Sequence, residues 1–431
     1  MFSSVAAQLF ANNTIPAESM INRNVCRCCG TVLHETFAQL GMTPMANAFV
    51  RPEAAMSAEP FYPLHAFVCS DCHLVQLGVF ENPTAIFGDY LYFSSFSQSW
   101  LKHTETYAAR MTARFDLGPH SQVVEVASND GYLLQYFVAR GIPVLGVDPA
   151  ANVAEAARVR NVPTDVAFFG TGTAQRLRAS GVAPTLMVAN NVLAHVPDLH
   201  DFVEGFHILL TPGGVATFEF PHLLQMIRHN QFDTIHHEHF SYLSLQVVER
   251  VFAVHGLAVF DVEELPTHGG SLRVFVRHAA DAAALPVQPA VALVQRAEAD
   301  AILCDSATYQ RFAQNVIETK CALLDFLIGA RRRGEKVAAY GAPAKGNTLL
   351  NYCGVGPEVV SFTVDSNPHK QELLLPSTRI PIYAPSAIAA ARPDYVLILP
   401  WNLRDEIANA LIGIREWGGR FVVPIPKLEV F

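Results

Sequence analysis

The chain has 431 residues, half of them hydrophobic and 16% charged, with a net charge of −9 and a pI near 6.0. That length gives room for two to four domains with large cores. The acidic balance excludes a nucleic-acid groove, which needs clustered Lys and Arg, and every apolar run is broken before membrane-spanning length, so no membrane partner is expected. Met1–Ile21 shows no basic leader joined to an apolar core and cleavage site, so a cytoplasmic location is expected.

Five of the eight cysteines lie in the first 72 residues, and four of those five form two C-x-x-C knuckles, Cys26/Cys29 and Cys69/Cys72. Paired thiolates at this spacing can wrap tetrahedrally around zinc. In a chain without export signals, metal ligation is favoured over disulfides. Four thiolates leave no open coordination position, so the zinc is expected to be structural, with Cys28 a surplus thiol or a replacement ligand if the knuckle slips. This N-terminal block, residues 1–85, reads as a loop-rich zinc-binding module. The aromatic connector Phe87–Ser97 follows.

The next block, residues 86–278, alternates strands and helices. Strands are expected at Val123–Ala127, Val144–Val147, Thr185–Ala189 and Val215–Phe220. Helices are expected after Gly131, near Ala151–Arg160, and through Phe202, Phe206 and Leu209. Alternating β and α elements imply a parallel sheet covered on both faces. Ala258–Val262 and Leu272–Val276 read as an antiparallel edge. An Ala/Pro-rich linker from Ala279 leads to a long helix with Phe312, Val316, Leu323 and Leu327 on one side, ending at Arg331–Arg333, where cations offset the helix dipole. A second alternating unit follows, with strands near Val337–Tyr340, Val359–Val364, Tyr395–Leu399 and Phe421–Val423. The fold class is therefore α/β, with residues 279–431 forming a second open α/β domain.

Ligands of open parallel sheets bind beyond the carboxyl ends of the strands. At those ends this chain carries Glu125, Ala127, Ser128, Asn129, Asp130 and Gly131, then Asp148, then Asn190 and Asn191. An acidic residue at the second strand end suits the hydroxyls of a ribose. No G-x-G-x-x-G loop is present to cradle a pyrophosphate, so S-adenosylmethionine (SAM) is the better fit. The plainer reading of Asp148 is a cap for the next helix.

The segment His236-His237-Glu238-His239 concentrates three imidazoles, the side chains that titrate near neutrality. Acid–base catalysis, metal binding and structural hydrogen bonding are the three readings. Metal is the weakest, because adjacent residues point to opposite sides of a strand and fan apart on a helix. Gly341-Ala342-Pro343-Ala344-Lys345-Gly346-Asn347 follows a strand and opens a helix, so its free amides and Lys345 could hold an anion such as a diphosphate. The alternative is a tight packing turn. His268, before Gly269-Gly270, is a candidate for lining the pocket.

Together these motifs resemble the three-domain, SAM-dependent C-methyltransferases of nucleotide-linked deoxyketosugars. The resemblance runs through Cys26-Arg27-Cys28-Cys29-Gly30, Pro44–Asn47, Tyr62–Leu64, Cys69–Leu77, Tyr90–Ser95, Glu125–Gly131, Asn191–His195, His237–His239, His268–Ser271 and Gly341–Asn347. It implies a class I methyltransferase sheet in the middle, a Rossmann-like substrate-binding domain at the C-terminus, and methylation of an enolate, at C3 of a 4-keto sugar. It further implies His239 as base with Glu238 as its partner, His195 as enolate stabiliser, Tyr90 and Tyr92 lining the sugar pocket, and Lys345 and Asn347 holding substrate. His236 stands where the family usually has tyrosine. The implied partner is a nucleotide-linked ketosugar, bound by a monomer or homodimer. A non-sugar acceptor, or an idle nucleotide-sugar-binding protein, are the alternatives.

Overall fold

The computed structural model describes residues 25–78 and 94–431. Most of the connector, with Tyr90 and Tyr92, lies outside the described residues.

Three sheets organise the chain. The first joins β1 (Glu35–Thr43), β2 (Tyr62–Val68) and β3 (Val75–Leu77) in antiparallel order. Its β2 buries every second residue, Leu64, Ala66 and Val68, as a one-sided sheet requires. The N-terminal block is thus more strand than the loop-rich module expected from its Gly, Pro and Cys content. One face covers the helix Ser306–Arg332, where Phe37 stacks on Phe312 at 4.5 Å and meets Tyr309 edge-on at 5.7 Å. The second sheet contains β4 (Val123–Val126), β5 (Val144–Asp148), β6 (Thr164–Val166), β7 (Leu186–Asn190) and β8 (Val215–Pro221), all parallel. A two-residue strand, β9 (Ser241–Tyr242), leaves this part of the chain and pairs with β3 as the fourth strand of the first sheet. The second sheet is completed by the antiparallel pair β10 (Leu257–Leu265) and β11 (Ser271–His278), giving the order β10-β11-β8-β7-β4-β5-β6. The chain reverses its direction of travel between β4 and β7, which opens a crevice at their carboxyl ends.

The third sheet is built from β12 (Val337–Tyr340), β13 (Thr363–Val364), β14 (Ile382–Tyr383), β15 (Tyr395–Ile398), β16 (Arg420–Val423) and β17 (Glu429–Val430). Its order is β14-β13-β12-β15-β16-β17, parallel except for the last pair. The reversal lies between β12 and β15, so a second crevice opens beyond Tyr340 and Ile398. The strand expected at Val359–Val364 shrinks to its last two residues, because Val359 and Val360 donate backward to Gly356 in a turn.

The helix Pro289–Asp300 fastens the middle block from behind. Its buried Glu298 accepts from the amides of Leu245 (2.6 Å) and Gln246 (3.1 Å) at the start of the helix Leu245–Val254, and from His222 Nε2 at 2.7 Å. Removing that carboxylate strands two amides and an imidazole. Glu298→Ala is expected to cost about 3 kcal/mol, read as a lower urea midpoint, whereas an unchanged midpoint would mean that water replaces the carboxylate.

Candidate active site

The four knuckle cysteines converge. Their sulfurs all lie within 4.8 Å of one another, with Cys26–Cys72 and Cys29–Cys69 each 3.4 Å apart. Cys28 is not in the set. Donors already face the sulfurs: Gln76 Nε2 reaches Cys26 Sγ at 3.1 Å, and the amides of Cys28 and Asp71 lie 3.4 Å from the sulfurs of Cys26 and Cys69. Such donors favour thiolate, which zinc requires. Among the described residues this is the only cluster of His, Cys, Asp and Glu close enough to hold a metal ion. The histidine segment is not such a cluster.

The residues expected at the SAM site lie at or just beyond the carboxyl ends of β4, β5 and β7. Ala127 (φ +56°), Asn129 (φ +49°) and Asn191 (φ +54°) take left-handed backbone conformations, strain of the kind concentrated at functional sites. Asp148 receives the amide of Asn129 on one oxygen and that of Ala150 on the other, each at 2.9 Å. It therefore holds the β4 loop and caps the following helix, with one lone pair on each oxygen still available for ribose hydroxyls. Buried Ser128 Oγ and Asp130 Oδ1 have no partner among the described residues, which suits a polar ligand. The other Asp130 oxygen accepts from Ser95 and pairs with Arg160. Glu125, fully buried beside Tyr132, is pushed up strongly by burial.

Beyond this crevice sits the histidine segment. Residues 236–239 form a tight turn closed by His239 N–H donating to the His236 carbonyl at 2.9 Å. The turn folds the His239 ring over that of His236, with centroids 3.9 Å apart, and sets it 4.6 Å from His195. His239 Nδ1 lies 2.9 Å from the Thr234 carbonyl. A carbonyl only accepts, so Nδ1 carries the proton and Nε2 keeps the lone pair. His239 is only half-buried; among the described residues its Nε2 makes no hydrogen bond. Burial holds His239 down at about 4 and also lowers His195 and His236 well below the usual histidine value, so all three rings are neutral at pH 7.

Two expected roles change. Glu238 does not partner His239: its carboxylate accepts from Asn47 Nδ2 at 2.7 Å, because the turn sends it toward the first sheet. Burial raises its pKa, against the pull of Asn47 and Lys370. The orienting acceptor for His239 is a backbone carbonyl, which no side-chain pattern announces. Asn347 is also occupied, since its buried amide donates to Ala46 O at 2.6 Å and ties the third sheet's first helix to the N-terminal block.

Lys345 and His268 lie near the two crevices. Lys345 Nζ lies 4.2 Å from the centroid of the Trp401 ring and donates to Asn402. Trp401 Nε1 donates to buried Asp233 at 2.8 Å, and burial raises that carboxyl to about 6, opposed by Lys345 and Trp401. Gly269 (φ +92°) lets the chain approach this indole, since a Cβ there would sit 2.5 Å from the ring. His268 Nε2 lies 3.4 Å from Asn191 Nδ2, beyond the end of β7. The nest expected at the helix start is partly taken, as Ala342 N already donates to Asp365 at 2.8 Å.

Sequence reasoning missed a buried network. Glu219, at the end of β8, accepts from Arg273 Nη2 (2.6 Å), Thr267 Oγ1 (2.9 Å) and His103 Nε2 (3.0 Å). Burial alone would raise its carboxyl, but His103 and Arg273 hold it at about 2. Its backbone carbonyl accepts from Asn191 at 2.6 Å. The available signal was one glutamate inside the apolar strand Val215–Pro221.

Among solved structures, an S-adenosylmethionine dependent methyltransferase from Mesorhizobium loti is 16% identical, with TM-score 0.32, covering 40% of this chain and 98% of its own. The CcbJ methyltransferase from Streptomyces caelestis is 13% identical, with TM-score 0.33, covering 41% and 89%. Three family models match in tandem: "Putative zinc binding domain" over residues 26–87, "Methyltransferase domain" over 100–262 and "C-methyltransferase C-terminal domain" over 266–426. C-methyltransferase NovU of Streptomyces niveus is 37% identical over 405 residues, 94% of this chain and 96% of the relative. The chain belongs to the C-methyltransferase family. As a SAM-dependent C-methyltransferase it needs a carbon nucleophile, and so a base. No helix among its described residues is long and apolar enough to cross a membrane.

The buried imidazoles give this C-methyltransferase a signed pH dependence. Unfolded histidine binds a proton near 6.5, while folded His239 does so only near 4. Between these values the unfolded state holds more protons, so stability present above the upper value is lost as pH falls toward the lower one. His239→Asn is expected to show a shallower fall in Tm across this window than the wild type, measured by calorimetry. Parallel Tm curves would contradict the burial of a neutral ring.

Proposed function

We propose that the chain methylates the carbon beside a ketone of a nucleotide-linked deoxyketosugar, at C3 of a 4-keto sugar. The observation that carries this reading is the His239 ring, with Nδ1–H held by the Thr234 carbonyl, Nε2 free of protein partners among the described residues, and His195 at 4.6 Å. A hydrogen next to a carbonyl is acidic enough for such a base because its loss gives an enolate.

In this reading His239 Nε2 takes the proton from the carbon, and the electron pair moves into the enolate. His195 packs beside the base as a neutral ring whose one N–H faces the Glu238 carbonyl rather than the enolate, and His236 keeps the base in place by packing against it. Asp148 and the Ala127–Gly131 loop would hold SAM, whose sulfonium would supply the electrophilic methyl to the carbon. Lys345 would meet the diphosphate from the third sheet's crevice; its half-buried ammonium lies over Trp401 with no carboxylate of its own in contact among the described residues. Tyr90 and Tyr92 would complete the sugar pocket, and the protein would act in the cytoplasm.

The test is incubation with SAM and a panel of nucleotide-linked ketosugars, with mass detection of the methylated product. Methylation of a 4-keto sugar is expected, and His239→Asn should lower kcat by about 10²–10⁴-fold. Full activity in that variant removes His239 as base. Methylation of non-sugar ketones alone would remove the sugar.

A further inference from the structure

The zinc knuckle reaches the histidine turn through one side chain. Arg27 sits between ligand Cys26 and the surplus Cys28. Its backbone amide donates to Gln76 Oε1 at 3.0 Å, and the same Gln76 donates to Cys26 Sγ at 3.1 Å. The guanidinium then crosses from β3 to the chain leaving the turn. Nη2 donates to the Leu77 carbonyl at 2.6 Å, and Nη1 donates to the Phe240 carbonyl and lies 3.3 Å from Ser241 Oγ. The cation also lies 5.6 Å from the centroid of the Phe240 ring.

Phe240 is the residue after His239, and its backbone is held from both sides. Its N–H donates to the Ala194 carbonyl at 2.8 Å, beside His195, and its carbonyl accepts from Leu77 N–H at 3.0 Å as well as from Arg27. One residue, Phe240, thus ties the His239–Phe240 peptide to the chain beside His195 through its N–H, and the zinc module holds the next peptide through its C=O. Among the described residues no carboxylate pairs with Arg27. A dication with four thiolates carries net negative charge, which favours a guanidinium beside it. Arginine's planar fork lets it reach two carbonyls on separate segments at once.

We propose that Arg27 is a positioning residue for methyl transfer: through Phe240 it makes the spacing of His239 and His195 depend on the loaded zinc knuckle. The zinc then sets catalytic geometry in addition to fastening the fold. This rests on the reading of His239 as base.

The test compares Arg27→Ala, Arg27→Lys and His239→Asn in the zinc-loaded full chain, measuring zinc content, kcat, KM and amide hydrogen exchange over residues 232–242. Arg27→Ala is expected to keep its zinc, hold KM for SAM within about twofold and lose roughly 10–100-fold in kcat, the scale of a small misplacement of reacting groups. Exchange in the turn should speed up, and lysine should restore only part of the rate. If Arg27→Ala does not fold, Gln76→Leu, which frees Arg27 from Cys26, should give the same signature more weakly. Wild-type kcat with unchanged exchange in a zinc-loaded variant overturns the proposal. So does a fall in kcat that only tracks lost zinc, because Arg27 would then serve the metal alone. Full activity of His239→Asn would instead remove the base assignment and leave the exchange result to decide Arg27.

Discussion

A single hydrogen bond, from His239 Nδ1 to the carbonyl of Thr234, fixes the chemistry available to this site. It decides which ring nitrogen keeps its lone pair and which direction that lone pair faces. Burial keeps the ring neutral, and the turn at residues 236–239 places it against two further neutral imidazoles. A carboxylate in place of the carbonyl would make the ring more basic but would favour the protonated form at rest. A backbone acceptor orients the ring without adding charge, and that suits a base that must be unprotonated before it acts.

The rest of the architecture holds this turn between two crevices. The middle sheet reverses between β4 and β7 and presents Asn129, Asp148 and Asn191 on one side. The third sheet reverses between β12 and β15 and presents Lys345 and Trp401 on the other. The contacts across the turn are short and directional: Thr348 Oγ1 donates to Ile235 O at 3.1 Å, Trp401 to Asp233, and Phe240 N–H to Ala194 O. The zinc module is part of the same construction, because β9 and Arg27 join it to the far end of the turn. In the proposed function, a methyl donor and an anionic substrate would approach one imidazole from these two sheets.

Much of this was legible in the sequence because it rests on local chemistry. The C-x-x-C pairs named the metal site, and the alternation of apolar strands with helices named both open sheets. The residues Ala127–Gly131, Asp148 and Asn190–Asn191 could be placed at strand ends, because strand order puts loops there whatever the details. What escaped depends on distant backbone. The Thr234 carbonyl carries no side-chain signature, so Glu238 looked like the partner of His239. Asn347 looked like a ligand contact because nothing local shows that Ala46 O lies above it. Strand β9 has only two residues, too few for any periodicity, and yet it sets the turn into the first sheet. Glu219 and Arg273 were visible as charges within apolar strands, but their meeting in space required the register of β8 with β11.

The most direct measurement is wash-in of deuterium from solvent at the carbon beside the ketone. The ketosugar is incubated in D₂O with S-adenosylhomocysteine in place of SAM, so that deprotonation is uncoupled from methyl transfer. The account predicts exchange at C3 catalysed by the wild-type chain and abolished in His239→Asn. Exchange that persists undiminished in that variant would contradict it.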